Sequence, residues 1–162
     1  MIRNTIRKAS PEDAFVIVDI IRAAAQENAF HSRVLSVKEF REFAFEKSRE
    51  GYNIFVCKIR GTIVGYIDSR MRMGVGHILG LYVKPTYRRK GIGRNLMETM
   101  VKEFKKKGCH KTRLEVFANN DGAIDFYNRL GFVQEGYFRE DEEKKDTIVM
   151  SKVLTEKRKQ ES

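Results

Sequence analysis

The sequence predicts an α/β fold of the mixed α+β kind, in which a central mixed sheet of about seven strands carries helices on both faces. Three observations lead there. Apolar patterning gives the order strand, two helices, three strands, helix, strand, helix and two strands along the chain. One long amphipathic helix joins two apolar stretches, residues 76–83 and 111–118, and a connection of this kind is right-handed and makes its strands parallel neighbours or near neighbours. A hairpin signal at Arg60-Gly61 adds an antiparallel pair.

NTIRKA alternates as a strand, and SPED then starts a helix, with Ser10 as cap, Pro11 in the first helical position and Glu12 and Asp13 in the first turn. That helix runs to about Ala25. VKEFREFAFEKSRE reads as a second helix stopping near Gly51, with Phe40, Phe43 and Phe45 partly on one face. NIFVCKI and TIVGYIDSRM flank Arg60-Gly61 as the hairpin, and GHILGLYV is a strand ended by Pro85. From Ile92 the positions Leu96, Met97, Met100, Val101 and Phe104 form the stripe of a helix packed on a sheet, which Gly108 ends. KTRLEVFA is a strand, DGAIDFYNRLGF a short helix closed by Gly131, and FVQEGYFRE and DTIVMSKVL an antiparallel pair.

The 162 residues have the length of one domain, so residues 1–155 are expected as a single domain and 156–162 as a frayed basic tail. With 41% hydrophobic and 33% charged residues and two prolines, the composition is that of a folded globular chain. Neither a signal peptide nor a membrane span is expected, because the longest apolar run, AFVIVDII, is short and broken by Asp19. Cys57 and Cys109 lack the spacing of a disulfide framework or a metal site, so free buried thiols, a reducing cytoplasm and no metal are expected. The net charge of +10 favours polyanions, anionic cofactors or acidic protein surfaces as partners.

Much of that excess lies in Arg88 to Arg94, in Lys105 to Lys107 and in the tail EKRKQ, and the first of these opens the stretch RRKGIGRNLMETM, residues 88–100. The third glycine of a dinucleotide-binding fingerprint is missing, since Leu96 stands in its place, and the Gly-Lys-Ser/Thr of a Walker A loop is absent. What remains is a strand, a cationic turn, Gly91 and Gly93 and a helix start, which aims several backbone N–H groups and the positive helix end at one point. A pyrophosphate suits that geometry. A Cβ at position 91 or 93 would hold the anion off the amides and forbid some of the turn's dihedrals.

VKPTYRRKGIGRNLM resembles the acetyl-CoA-binding signature of the GNAT superfamily of N-acetyltransferases, with Arg88, Gly91 and Gly93 in the signature positions. NNDGAIDFYNRLGF resembles the second motif of that family, and the order of elements matches its fold, so the resemblance covers essentially the whole chain. It implies a sheet splayed between strands 76–83 and 111–118. It further implies acetyl-CoA as co-substrate, with its pyrophosphate on the amides of Arg89, Lys90, Gly91, Ile92, Gly93 and Arg94 beside Arg88, and its pantetheine arm along Leu81, Tyr82 and Val83. An unpaired N–H near Tyr82 or Val83 would polarise the thioester carbonyl, and Asn120 would hydrogen-bond the arm.

By the same resemblance Tyr127 is the proton donor to the leaving thiolate, with packing of a helix aromatic as the alternative. The family's glutamate on the strand before the glycine loop is missing, because Leu79 and Gly80 stand there. LEVFANN resembles ribosomal-protein alanine acetyltransferases, which makes Glu115 the candidate base, with some desolvation to raise its pKa; pairing with a nearby cation on the sheet surface is the alternative. His77 is an outside candidate. The chain's end resembles ribosomal-protein and diamine acetyltransferases. The acceptor is therefore expected to be a primary amine on a peptide, protein N-terminus, polyamine or other small molecule. Glu27, His31, Glu140, Asp141, Glu142 and Glu143 lie in the two loops that would attract it. A homodimer is expected from the family. The alternatives are a module that binds acetyl-CoA as a sensor without catalysis and a basic nucleic-acid-binding domain; the latter lacks a recognition helix and stacking aromatics.

Overall fold

The computed structural model describes residues 3–27, 35–46 and 51–155. Seven strands form one sheet: β1 (Asn4–Lys8), β2 (Tyr52–Ile59), β3 (Thr62–Arg72), β4 (Val75–Val83), β5 (Lys111–Phe117), β6 (Val133–Phe138) and β7 (Thr147–Val153). Their order across the sheet is β1-β2-β3-β4-β5-β7-β6. Four helices accompany them: α1 (Ala14–Gln26), α2 (Val37–Arg41), α3 (Ile92–Lys106) and α4 (Asp121–Arg129).

Two hairpins set the register of the first half. Arg60 and Gly61 both have positive φ, 48° and 81°, as a two-residue type I′ turn requires, so Ile59 faces Thr62. Met73 and Gly74 repeat the device at 50° and 77°, with Arg72 facing Val75. The second turn is invisible to a reading by turn composition, because methionine is not a turn former. The β4–α3–β5 crossover makes β4 and β5 parallel neighbours, as expected, and β7 lies between β5 and β6.

The sheet separates two apolar clusters. On one face α3 places Leu96, Met100 and Phe104 against Val64, Ile67 and Ile78. A Cβ at Gly76 would stand 2.5 Å from the Phe104 ring, so the glycine lets α3 lie directly on β4. On the other face α1 packs Ile17, Val18, Ile20 and Ala24 against Ile54, Val56, Tyr66 and Tyr82. Ser10 and Asp13 close a capping box ahead of α1, and Arg7 of β1 holds the Asp13 carboxylate at 2.7 and 2.9 Å. Both cysteines are buried free thiols, as expected.

The second helix departs from its expected form. After five α-helical residues the backbone widens into a π-helical turn over 42–46, and residues 47–50 lie outside the described part. The wider turn separates the three phenylalanines: Phe40 meets Phe45 at 6.1 Å, whereas Phe43 meets Tyr52 of β2 at 5.1 Å. Among the described residues no helix is long and apolar enough to cross a membrane. The expected tail, 156–162, lies outside the described residues.

Candidate active site

The parallel strands β4 and β5 pair only from Val75↔Lys111 to Ile78↔Leu114. Beyond that point they part. β4 stays with β3 through Val83, and β5 stays with β7 through Phe117, so each turns one unpaired edge to a widening gap. A bulge marks the fork: Ser69 faces Ile78 and Asp68 faces Gly80, which leaves Leu79 with no partner on β3. A cleft of about 880 Å³ occupies the gap, within the range of pockets that enclose a cofactor-sized ligand, ~300–1,000 Å³.

The phase of the β3–β4 ladder decides which amides face the cleft. Lys84 donates to the Val64 carbonyl at 2.8 Å, and antiparallel hydrogen-bonded pairs recur at every second residue, so Tyr82 exchanges its bonds with Tyr66. The N–H groups of Leu81 and Val83 are therefore turned toward the gap. Of the two amides expected from sequence, the ladder leaves Val83 available and commits Tyr82, and it adds Leu81.

At the mouth of the gap Gly91 is the cap of α3 in the left-handed region, φ 79°, and Arg89 is left-handed too, at 62°. The first helical hydrogen bond here runs from Asn95 N to Gly91 O, so the amides of Ile92, Gly93 and Arg94 have no helical acceptor. The two glycines act for different reasons. A Cβ at Gly91 meets nothing but is opposed by its φ, whereas a Cβ at Gly93 would stand 3.3 Å from the Phe126 ring tip and hold α3 off α4. Arg89 and Arg94 line the cleft, and Lys90 lies outside its lining, over the Tyr87 ring at 5.8 Å.

Arg88 is already engaged. Its Nη2 donates to Glu27 at 2.7 Å and its Nε to the Val83 carbonyl at 2.8 Å, with the guanidinium 5.0 Å above the Tyr82 ring. Glu27 also accepts the Tyr82 hydroxyl at 2.5 Å. Burial pushes the Glu27 carboxyl up, but its bonds from Tyr82 and Arg88 outweigh that and hold it below the usual range; burial and Glu27 push Tyr82 up to about 12. Three side chains thus tie the end of α1 to the end of β4 and to the cationic turn.

Tyr127 lines the cleft from α4, its ring between Phe126 at 5.3 Å and Phe132 at 5.8 Å, and burial pushes its pKa up to about 12. Its hydroxyl has no hydrogen-bond partner among the described residues. Asn120 lines the cleft as the cap of α4, with its side-chain oxygen accepting from Ala123 N at 3.2 Å, so its amide nitrogen and one oxygen lone pair remain to meet a ligand. Glu115 lines the cleft from β5, but its side chain is exposed, so the desolvation expected for it is not met.

His77 sits below the fork, where the strands are still paired, and does not line the cleft; Arg113 donates to it at 3.3 Å. Burial, then Arg113, Arg70 and Arg72, hold its pKa below the ordinary value. Of the acceptor-loop acids, Glu27 alone lines the cleft, while Glu140, Asp141 and Glu143 are exposed outside it. His31 and the Glu142 side chain lie outside the described residues. Sequence reasoning missed Phe126, an aromatic six residues after Asn120 on the same short helix, which was a usable signal for a cleft-lining residue.

A gap at the ends of two parallel strands, with one strand's amides facing it, can receive an extended arm as an added strand, as a coenzyme A thioester would require. The residues fit such a donor: free amides at the start of α3 for its phosphates, and an unpaired β4 edge for its arm. Residues 18–132 match the Acetyltransferase (GNAT) family, and the chain belongs to it. The N-alpha-acetyltransferase of Sulfurisphaera tokodaii is 33% identical over 141 residues, 78% of each chain. The ribosomal protein bS18-alanine N-acetyltransferase of Escherichia coli is 29% identical over 106 residues, 63% of this chain and 72% of that one. A crystal structure of the Escherichia coli ribosomal-protein-S18-alanine enzyme superposes with a TM-score of 0.77 at 25% identity, covering 98% of each chain. A putative acetyltransferase from Salmonella typhimurium, solved with its cofactor acetyl-CoA, shares the fold at a TM-score of 0.82, with 96% of each chain covered and 23% identity. The protein is an N-acetyltransferase of the acyltransferase class, and acetyl-CoA is the donor that its family uses.

Proposed function

We propose that the protein acetylates the α-amino group at the N-terminus of a peptide or protein. The observation that carries the transfer chemistry is the parting of β4 and β5 after Ile78 and Leu114, with the Leu81 and Val83 amides facing the gap. The choice of an N-terminal amine is supported by the named activities of the relatives that cover most of this chain.

Acetyl-CoA supplies an activated acetyl group as a thioester. The chain's own part is positional and electrostatic. The amides at the start of α3, with Arg89 and Arg94 beside them, hold the pyrophosphate, and the unpaired β4 edge aligns the arm. The Leu81 and Val83 N–H groups are the donors available to the carbonyl oxygen as negative charge develops on it. Tyr127, neutral at physiological pH and with its pKa raised further by burial, donates a proton to the departing sulfur.

The test is thiol release from acetyl-CoA with peptides bearing free N-termini, the same peptides N-terminally blocked, lysine side-chain peptides and polyamines. Turnover with the free N-termini, lost on blocking, is expected. Turnover confined to polyamines or lysine side chains would overturn the acceptor assignment.

A further inference from the structure

We propose that Asp68 of β3 is the proton acceptor that serves the incoming amine, reached over Gly80 through one water. The inference rests on the acetyl-transfer reading of the cleft, not on the N-terminal acceptor. Asp68 pairs across the ladder with Gly80, the first β4 residue past the bulge and part of the cleft lining. It lies on the face of Tyr66 and Tyr82, the α1 side of the sheet, while its neighbour Ile67 faces the α3 cluster. Since Gly80 has no side chain, β4 places nothing beside the carboxyl on that face.

Tyr52 of β2 donates to Asp68 Oδ2 at 2.7 Å, and Phe43 of the π turn packs on the Tyr52 ring. Oδ1 is buried with no hydrogen-bond partner among the described residues. A buried acceptor left unmatched costs roughly 1–3 kcal/mol, so a carboxyl with one oxygen fixed and the other vacant is an uncommon arrangement that a transferred proton would complete. Burial drives the carboxyl up to about 6, against the opposing pull of the Tyr52 hydroxyl and of the nearby Asp68 and Gly80 amides. A base that titrates there is charged at neutral pH yet strong enough to take a proton.

Among the described residues, Tyr82 of β4, bonded to Glu27 at the end of α1, shares that face with Asp68. Tyr52 comes from β2 and Tyr66 from β3, both held neutral by burial. Arg70 and His77 lie further along the same face, below the fork, and Glu115 stands across the gap on β5.

The step balances as follows. The ammonium form of the amine gives one proton through water to Asp68 Oδ1, and the neutral nitrogen forms the N–C bond to the thioester carbon. The C–S bond then breaks, and its electron pair stays on sulfur, which takes the Tyr127 proton. The second proton lost by nitrogen restores Tyr127, and Asp68 releases its own to solvent.

The test compares kcat against pH, with saturating acetyl-CoA and one acceptor used for all proteins, for the wild type, Asp68→Asn and Tyr52→Phe. The wild type should lose activity below about pH 6, Asp68→Asn should lose that limb together with tenfold or more of kcat, and acetyl-CoA affinity should change less than about twofold. Tyr52→Phe removes a bond that favours the carboxylate, so its limb should move to higher pH. Carbon-detected NMR titration of the wild-type Asp68 carboxyl reads the same group without turnover, with a midpoint near 6 expected. An Asp68→Asn enzyme that keeps wild-type kcat and limb, or a carboxyl that titrates near the ordinary ~4, would overturn the proposal. A polyamine replaces the peptide if the peptide is not acetylated, so failure of the acceptor assignment leaves this test intact.

Discussion

Tyr127 has a phenol that strongly resists ionisation, packed between two aromatic rings and without a polar partner among the described residues. A pKa near 12 lies well above that of an ordinary thiol, ~8.5, so handing the proton over completely to a thiolate is uphill by several kcal/mol. The phenol can therefore act only in concert, giving one proton to sulfur as it receives another from nitrogen. Tyr127→Phe keeps the ring and removes the proton; kcat should fall by roughly 10–100-fold, with the acetyl-CoA dissociation constant within about twofold of wild type. Steady-state thiol release and calorimetry on the same variant decide this, and unchanged kcat would remove Tyr127 from the proton path. The tyrosine was legible in the sequence because it follows Asn120 at a fixed interval on one short helix. Asp68 was not, for in a run as apolar as TIVGYIDSRM an aspartate reads as a solvent-facing strand position. Only the pairing with Gly80 and the hydroxyl of Tyr52 show it enclosed.

Among the elements, the cationic turn and α3 act as one unit. Gly91 bends the chain through a left-handed residue, the next three amides lack acceptors, and Gly93 lets Phe126 of α4 close on the helix. Gly91→Val should weaken acetyl-CoA binding at least tenfold, since the branched side chain opposes the φ that aims those amides. The same strain, ~1–2 kcal/mol, should lower the melting temperature by a few degrees. Calorimetric titration with acetyl-CoA and a thermal melt separate the two effects; wild-type affinity would show that the amides are not the anion's ligands. The loop's backbone was readable because two glycines before an amphipathic stripe mark a sharp turn into a helix. Arg88 was readable only in part, since the sequence gives the cation but not Glu27, sixty-one residues away, that engages it. The π turn in the second helix was unreadable, as its pattern differs from an α-helix by one residue of phase.

The molecule as a whole carries a net charge of +10, and Arg89 and Arg94 bring part of it to the cleft. A polyanionic donor approaching that surface is steered by charges that salt screens, since the Debye length shrinks from ~14 Å to ~4 Å between about 50 mM and 500 mM salt. Acetyl-CoA affinity should drop severalfold over that range; an affinity indifferent to salt would assign the binding to uncharged amides alone. Fold class, the parallel pair and the final antiparallel pair were all legible, because each rests on periodicity within one segment. The seating of β7 between β5 and β6 was not, because it depends on partners chosen across the chain. That seating has a consequence for synthesis. Among the described residues β6 pairs only with β7, and the upper half of β5 has no strand but β7 beside it. During translation these segments must wait, their edges bare, until residues 147–153 leave the ribosome. The wall of the cleft formed by β5 is therefore completed only after residues 147–153 have been made.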